Sequence, residues 1–306
     1  MKTILVTGSN GLLGQKLSDK LYNHSTIKLI ATSKGENRHP FQNELNYHSL
    51  DITNEEEVNS IVALIKPDVI IHTAAMTNVD LCEKEQENCR KLNVDAVNFI
   101  AKACKTHHVY LVHLSTDFIF DGEKGMYLET DEPNPLSFYG QSKLDAENVI
   151  IAADIEYSIL RTIIVYGVTA EMSRSNIVLW AKGALEKGDP INVVDDQFRS
   201  PTLAEDLADA CILAAEQEPT GIFNASGKDY MSVYEMVQRI AVFFKLNTSL
   251  INRTNSSTLN QTARRPPKTG FVLDKIKATI GYNPHNFEDG LQIVSDQLIK
   301  RNSKLN

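Results

Sequence analysis

Tyr139 and Lys143 set a phenol and an ammonium four residues apart in the segment Tyr139-Gly-Gln-Ser-Lys143, a spacing that puts both on one face of a helix. A lysine charge held there favours phenolate over phenol and is expected to lower a pKa that starts near ~10. A tyrosine tuned in that way can give or take a proton at a carbonyl or hydroxyl group near neutral pH. The pair alone is a weak signal, because chance can supply it. Its weight comes from what precedes it: glycines at Gly8, Gly11 and Gly14, and Ser115-Thr116-Asp117 closing an apolar run. A hydroxyl at Thr116 could donate a hydrogen bond to a carbonyl while Tyr139 supplies the proton and Lys143 holds the tyrosine's charge state. Plainer roles are open to each: Thr116 as a turn cap, Lys143 as a surface lysine, Tyr139 packed against the Pro133–Pro135 loop.

The segment Thr7-Gly8-Ser9-Asn10-Gly11-Leu12-Leu13-Gly14 follows an apolar run and opens a helical pattern. Glycines there let backbone N–H groups approach a pyrophosphate, and the helix N-terminus contributes about half a positive charge. The spacing is GxxGxxG rather than GxGxxG, and its context, strand before and helix after, points to dinucleotide binding. Cofactor choice is read after the second strand, where an acid would grip the ribose 2′-hydroxyl of NAD. Here Ser33, Lys34 and Arg38 offer hydroxyl and cationic groups. These suit a 2′-phosphate, so NADP(H) is favoured, with NAD(H) possible. Asp51 and Ile52 are placed to meet the adenine, and Thr73, Ala74 and Ala75 offer small residues where backbone must pass the cofactor.

These residues need a frame. Short β-branched runs predict strands over 3–7, 27–32, 69–72, 109–115 and 157–162, alternating with helices over 12–22, 55–65, 89–104 and 139–153. Strands apolar on both faces and separated by helices imply an α/β fold, a doubly wound parallel sheet (Rossmann) covered on both sides. Its ligands sit beyond the carboxyl ends of the strands. Past Val165 the alternation loosens into helices over 176–187, 203–216 and 233–244 and a strand over 221–225. The expected division is a dinucleotide-binding domain over 1–165, with 190–225 returning to it, and a smaller C-terminal substrate-binding lobe over 166–189 and 226–306.

With 306 residues, 42% of them hydrophobic and 23% charged, the chain suits one large domain or a domain with a lobe. A net charge of −8 argues against a nucleic-acid partner. It leaves room for an anionic small ligand where cations cluster. No apolar stretch approaches the ~20 residues needed to cross a bilayer, so no membrane partner is expected. Met1-Lys2 runs directly into a strand pattern, so no signal peptide is expected. Cys82, Cys89, Cys104 and Cys211 show no CxxC and no metal-ligand spacing, which suggests reduced thiols in a cytoplasmic protein without a metal site. The helices over 89–104 and 139–153 could pair across a homodimer or equally serve the core.

The order TGSNGLLG, HTAA, LSTDFIFDG, YGQSK and LRTIIVYG resembles the extended short-chain dehydrogenase/reductase superfamily. Within it, STDFIFDG, DDQFRSPT (Asp195–Thr202) and ARRPPKTGFVLD (Ala263–Asp274) are most similar to the dTDP-4-dehydrorhamnose reductase family, and the similarity covers nearly the whole chain. The resemblance implies Thr116, Tyr139 and Lys143 as a catalytic trio, the latter two also touching the cofactor, and Gly8, Gly11 and Gly14 as the cofactor loop. It implies NAD(P)H-dependent reduction of the 4-keto group of a dTDP-6-deoxy sugar. A nucleotide-sugar substrate would then lie beside Thr116 and Asp117, its diphosphate met by Arg199, Arg264, Arg265 and Lys268. A solvated basic loop is the simpler alternative for those cations. The chain departs from the family pattern at Arg199, where glycine is usual, and at Thr269-Gly270, where serine–leucine is usual. Competing readings are another nucleotide-sugar epimerase or reductase with the same trio, and a non-catalytic NADP-binding regulatory subunit. Retention of all three trio residues argues against the second.

Overall fold

Runs of valine, isoleucine and leucine with no polar face can be stable only where both sides of a sheet are covered. In the computed structural model, which describes residues 1–40, 44–170, 176–258 and 261–305, such runs build a seven-stranded sheet. Residues 171–175 and 259–260 of the expected lobe, and residue 306, lie outside the described residues. The strand order is Gly221–Asn224, Tyr157–Thr162, Tyr110–Thr116, Val69–His72, Lys2–Thr7, Ile27–Ser33, Tyr47–Ser49. Every pairing in it is parallel. Along the strands, side chains alternate between two cores: Ile4, Val6, Ile71 and Val112 face one layer of helices, and Leu5, Ile70, Leu111 and Ile159 the other. Strand Lys2–Thr7 lies between Ile27–Ser33 and Val69–His72, so the winding reverses there and a crevice opens beyond its carboxyl end.

The covering helices begin where the chemistry says they should. Asn54 accepts from the amides of Glu56 and Glu57, and three glutamates fill the first turn of Glu55–Ile65 beside the positive end of its dipole. Ser137 caps Phe138–Ala152 by accepting from the Gly140 amide. The helix expected over 89–104 is not continuous. It runs as Gln86–Arg90, a π-helical turn at Lys91–Asp95, and Ala96–His107. The widened turn coincides with an inward Asn93, whose Oδ1 accepts from the Met76 amide at 2.8 Å and whose Nδ2 donates to the Met76 carbonyl at 3.0 Å.

The second core belongs to a smaller lobe. Helices Ile177–Lys187 and Val233–Phe243 and the C-terminal helix Phe287–Leu305 enclose Val178, Leu185, Met236, Ile240, Leu291 and Val294. Two boundaries differ from expectation. Strand Ile191–Val194, assigned above to the returning segment, pairs with Ile251–Thr254 inside the lobe. Conversely, Phe271, Leu273, Ile276 and Ile280 pack into the core of the main sheet, although they fall in the stretch assigned to the lobe. A four-residue apolar strand looks alike in sequence whichever sheet it joins. A four-stranded sheet, Met231–Ser232, Phe198–Arg199, Lys268–Phe271 and Gly125–Tyr127, links the two parts.

Candidate active site

The glycine loop is built by contact distances that no side chain could meet. Gly8 is in the left-handed region at φ +71, and a Cβ there would stand 2.8 Å from the Ala74 nitrogen. A Cβ on Gly14 would stand 2.3 Å from the Gly8 carbonyl oxygen. Helix Leu12–Leu21 can therefore begin hard against the end of the first strand, and Gly11 leaves its first turn with no side-chain cap. Such a cradle could hold a pyrophosphate. Asn10 fastens the next loop to it, donating to the Glu36 carbonyl at 2.9 Å and accepting from the Arg38 amide at 2.9 Å. Ser9, expected at the cofactor, is 1% exposed and lies outside the cleft lining; its amide donates to the Thr32 carbonyl.

A cleft of 1090 Å³ starts at this loop and runs between the sheet and the lobe. Gly8, Asn10, Gly11, Leu12, Leu13 and Gly14 line it, as do Ser33, Arg38, Ile52, Thr73, Ala74 and Ala75. Lys34 and Asp51 line it too, but paired with each other at 2.6 Å. Burial pushes the Asp51 carboxyl up, yet bonds from Lys34 and Thr53 outweigh it and hold the group at about 2. The cation and the acid, expected to face a 2′-phosphate and an adenine separately, thus form one edge of the cleft. Lys34 remains 78% exposed along its side chain, so the contact is easily exchanged.

Farther along, Thr116, Tyr139 and Lys143 come together as lining residues, with Tyr139 8%, Thr116 6% and Lys143 3% exposed. Gly140 explains how their helix comes so close: a Cβ there would lie 2.2 Å from the Phe118 carbonyl oxygen. The electrostatics correct one expectation. Burial raises the Tyr139 phenol well above its ordinary value; a side-chain hydrogen bond with Thr116 works against this and the Asp117 charge adds to it. Lys143 is not what sets it; the ammonium Nζ lies 3.2 Å from His113 Nε2. Burial lowers Lys143 itself to about 8, against the upward pull of Glu147. Tyr139 is therefore a phenol at neutral pH.

Beneath the trio lies a polar layer that the sequence did not signal. Glu147 receives Arg161 through Nε at 3.0 Å and Nη2 at 2.7 Å, and Ser115 at 2.5 Å. Both members of the ion pair are buried, at 3% and 1% side-chain exposure, which only such bidentate pairing makes tolerable. His113, on the strand that ends in Thr116, could have been suspected from its alternation with Ser115.

The substrate end is less basic than expected. Arg199 is 2% exposed and donates to the carbonyls of Phe198 at 2.7 Å, Pro267 at 3.1 Å and Pro266 at 2.6 Å, with Nε 3.8 Å from Asp117. It braces the walls of the cleft more than it faces the interior. Burial raises the Asp117 carboxyl, opposed by Arg199 and by hydrogen bonds from Thr269 and Thr116. Arg265 lines the cleft, its Nη2 2.7 Å from Asp80. Arg264 and Lys268 are exposed and outside the lining, which corrects their assignment to a diphosphate site. Strand alternation is the reason for Lys268: Thr269 turns inward to donate to Asp117, so its neighbour faces solvent. On the lobe side Trp180, the single tryptophan, lines the cleft while 41% exposed. Among the described residues, no group of three or more His, Cys, Asp or Glu could hold a metal ion, and no helix is long and apolar enough to cross a membrane.

This architecture has relatives. The family described as the RmlD substrate binding domain matches residues 1–299. The chain belongs to this family. The dTDP-4-dehydrorhamnose reductase of Aggregatibacter actinomycetemcomitans is 31% identical over 95% of this chain and 98% of its own length. Methionine adenosyltransferase 2 subunit beta of Danio rerio, also similar to this RmlD-family chain, is 32% identical over 90% of it and 84% of its own length. Among solved structures, dTDP-4-dehydrorhamnose reductase of Bacillus anthracis str. Ames in complex with NADP aligns at a TM-score of 0.84 and 26% identity, covering 97% of this chain and 100% of that one.

Proposed function

We propose that this protein is an NADPH-preferring reductase of a dTDP-linked 4-keto-6-deoxy sugar, forming dTDP-L-rhamnose from dTDP-4-dehydrorhamnose. One observation carries the reading: Thr116, Tyr139 and Lys143 line the same cleft as a glycine cradle that fits a dinucleotide pyrophosphate. A nicotinamide held in this cleft would supply the hydride for the carbonyl carbon. The chain's own residues do the rest. The Tyr139 phenol, kept protonated by burial, gives its proton to the oxygen that becomes the hydroxyl, and solvent restores it. Thr116, turning its hydroxyl away from Asp117, donates a hydrogen bond to that oxygen, and Lys143 presents an ammonium to the developing tyrosinate and would meet the cofactor ribose. Ser33, Lys34 and Arg38 would hold the 2′-phosphate, with Lys34 exchanging Asp51 for it. The lobe holds the nucleotide, with Arg265 leaving Asp80 for the diphosphate and Trp180 offering a stacking face.

The resemblance to methionine adenosyltransferase 2 subunit beta favours a second reading, a nucleotide-binding regulatory subunit of another enzyme. An NADPH-oxidation assay across a panel of nucleotide-linked 4-keto sugars separates the possibilities. The reductase consumes one NADPH per hydroxyl formed, fastest with the dTDP-4-keto-6-deoxy sugar. An epimerase returns its nicotinamide unchanged, and a regulatory subunit binds NADPH without turnover; either result overturns the proposal.

A further inference from the structure

His113 sits outside the trio, yet its position is hard to explain as packing. Thr7, His72 and His113 occupy paired positions on three neighbouring strands, so their side chains form a row across one face of the sheet. Thr7 Oγ1 lies 2.6 Å from His72 Nδ1, the His72 and His113 rings stack with centroids 5.4 Å apart, and Lys143 Nζ reaches His113 Nε2 at 3.2 Å. Both imidazoles are 1% exposed. His113 Nδ1 and His72 Nε2 have no hydrogen-bond partner among the described residues. Two buried nitrogens without partners are a cost that a purely structural row would shed by using apolar residues.

Lys143 has few alternatives. The charged and titratable groups that face it are His113 and His72 on the sheet, Glu147 on its own helix and Cys89 on helix Gln86–Arg90. Both oxygens of Glu147 are already held by Ser115 and Arg161. Cys89 Sγ is bonded to Ser142 and Asn93. His113 Nε2 is the one side-chain acceptor within hydrogen-bond distance of the ammonium among the described residues. An imidazole can accept only when neutral, and burial, then Lys143 and His72, keep His113 well below its ordinary pKa.

We propose that His113 is a positioning residue for Lys143: its neutral ring accepts a hydrogen bond from the ammonium, keeps that amine charged, and aims it at the cleft, with His72 and Thr7 locking the ring from behind. This deepens the reductase reading, since the ammonium so placed is the one assigned to the tyrosinate and the ribose.

The test follows Lys143 directly. In the full chain, the Cε signal of Lys143, identified by its loss in Lys143→Arg, is titrated by NMR. His113→Phe keeps the ring stacked on His72 but removes the acceptor, and His113→Gln restores an acceptor near the place of Nε2. His113→Phe should lower the Lys143 midpoint by about one pH unit or more, and His113→Gln should hold it near wild type. The alkaline limb of kcat should move by the same shift in His113→Phe alone. Should His113→Phe not fold, His113→Met removes the acceptor with a more adaptable side chain. An unshifted midpoint without the acceptor, or an equal shift with glutamine, overturns the proposal. The midpoint needs no substrate, so failure of the reductase reading, seen as absence of wild-type turnover, remains a separate result.

Discussion

At the scale of single residues, burial decides the chemistry more than neighbouring charge does. Tyr139 and Lys143 stand at the spacing that would make the phenol acidic, yet desolvation raises the tyrosine and brings the lysine down to about 8. The lysine charge is directed to His113 instead, 30 residues away in sequence and one hydrogen bond away in space. Such a contact depends on strand pairing, which residue spacing does not reveal. Cofactor choice also belongs to this scale. Lys34 and Arg38 are exposed on the cleft rim, and the double variant Lys34→Ala with Arg38→Ala should weaken NADPH at least about tenfold more than NADH. Equal weakening of the two in a binding titration would reject their assignment to the 2′-phosphate.

At the scale of elements, the five early strands lie within a residue of where β-branched runs place them, because a parallel strand buried on both faces is written as a continuous apolar word. The glycine loop was legible for a similar reason: strand, glycines and helix occur in order. The lobe was harder. The polar stretch before Arg264 hides strand Ile251–Thr254. The last helix carries Phe287, Leu291, Val294 and Leu298 at helical spacing, a signal present in the sequence but diluted by polar neighbours. Paired strands also place His72 beside His113, and this has a consequence for stability. Burial, then Lys143, lowers His72 to about 3, and His113 is pushed down for the same reasons with His72 adding to it. With folded values below the ordinary ~6.5, the unfolded chain takes up protons first as the pH falls. Their contribution is thus intact above about pH 6.5 and lost progressively below it. Urea unfolding at pH 7 and pH 5 should show a loss of about 2 kcal/mol per histidine. His72→Asn should remove about half of that loss, leaving the share of His113, and an unchanged loss would show that His72 titrates normally.

At the scale of the whole molecule, two cores share one cleft. The sheet supplies the glycine cradle and the trio; the lobe supplies Trp180, Ile177 and Val193 as the opposite wall. Side chains tie the parts together near the cradle: Lys16 on the first helix reaches Glu205 at 3.0 Å and Gln297 of the C-terminal helix at 2.8 Å. Family membership was legible from the motifs. The internal use of Arg199 and the outward turn of Arg264 and Lys268 were not, since a cation's direction depends on which strand face it occupies. The proton donor is the centre of the whole account, and Tyr139→Phe tests it most directly. With saturating NADPH and the dTDP-4-keto-6-deoxy sugar, the variant should lose about 10² or more in turnover while binding NADPH as wild type does. Turnover unchanged from wild type would contradict the assignment of Tyr139 as the group that completes the reduction.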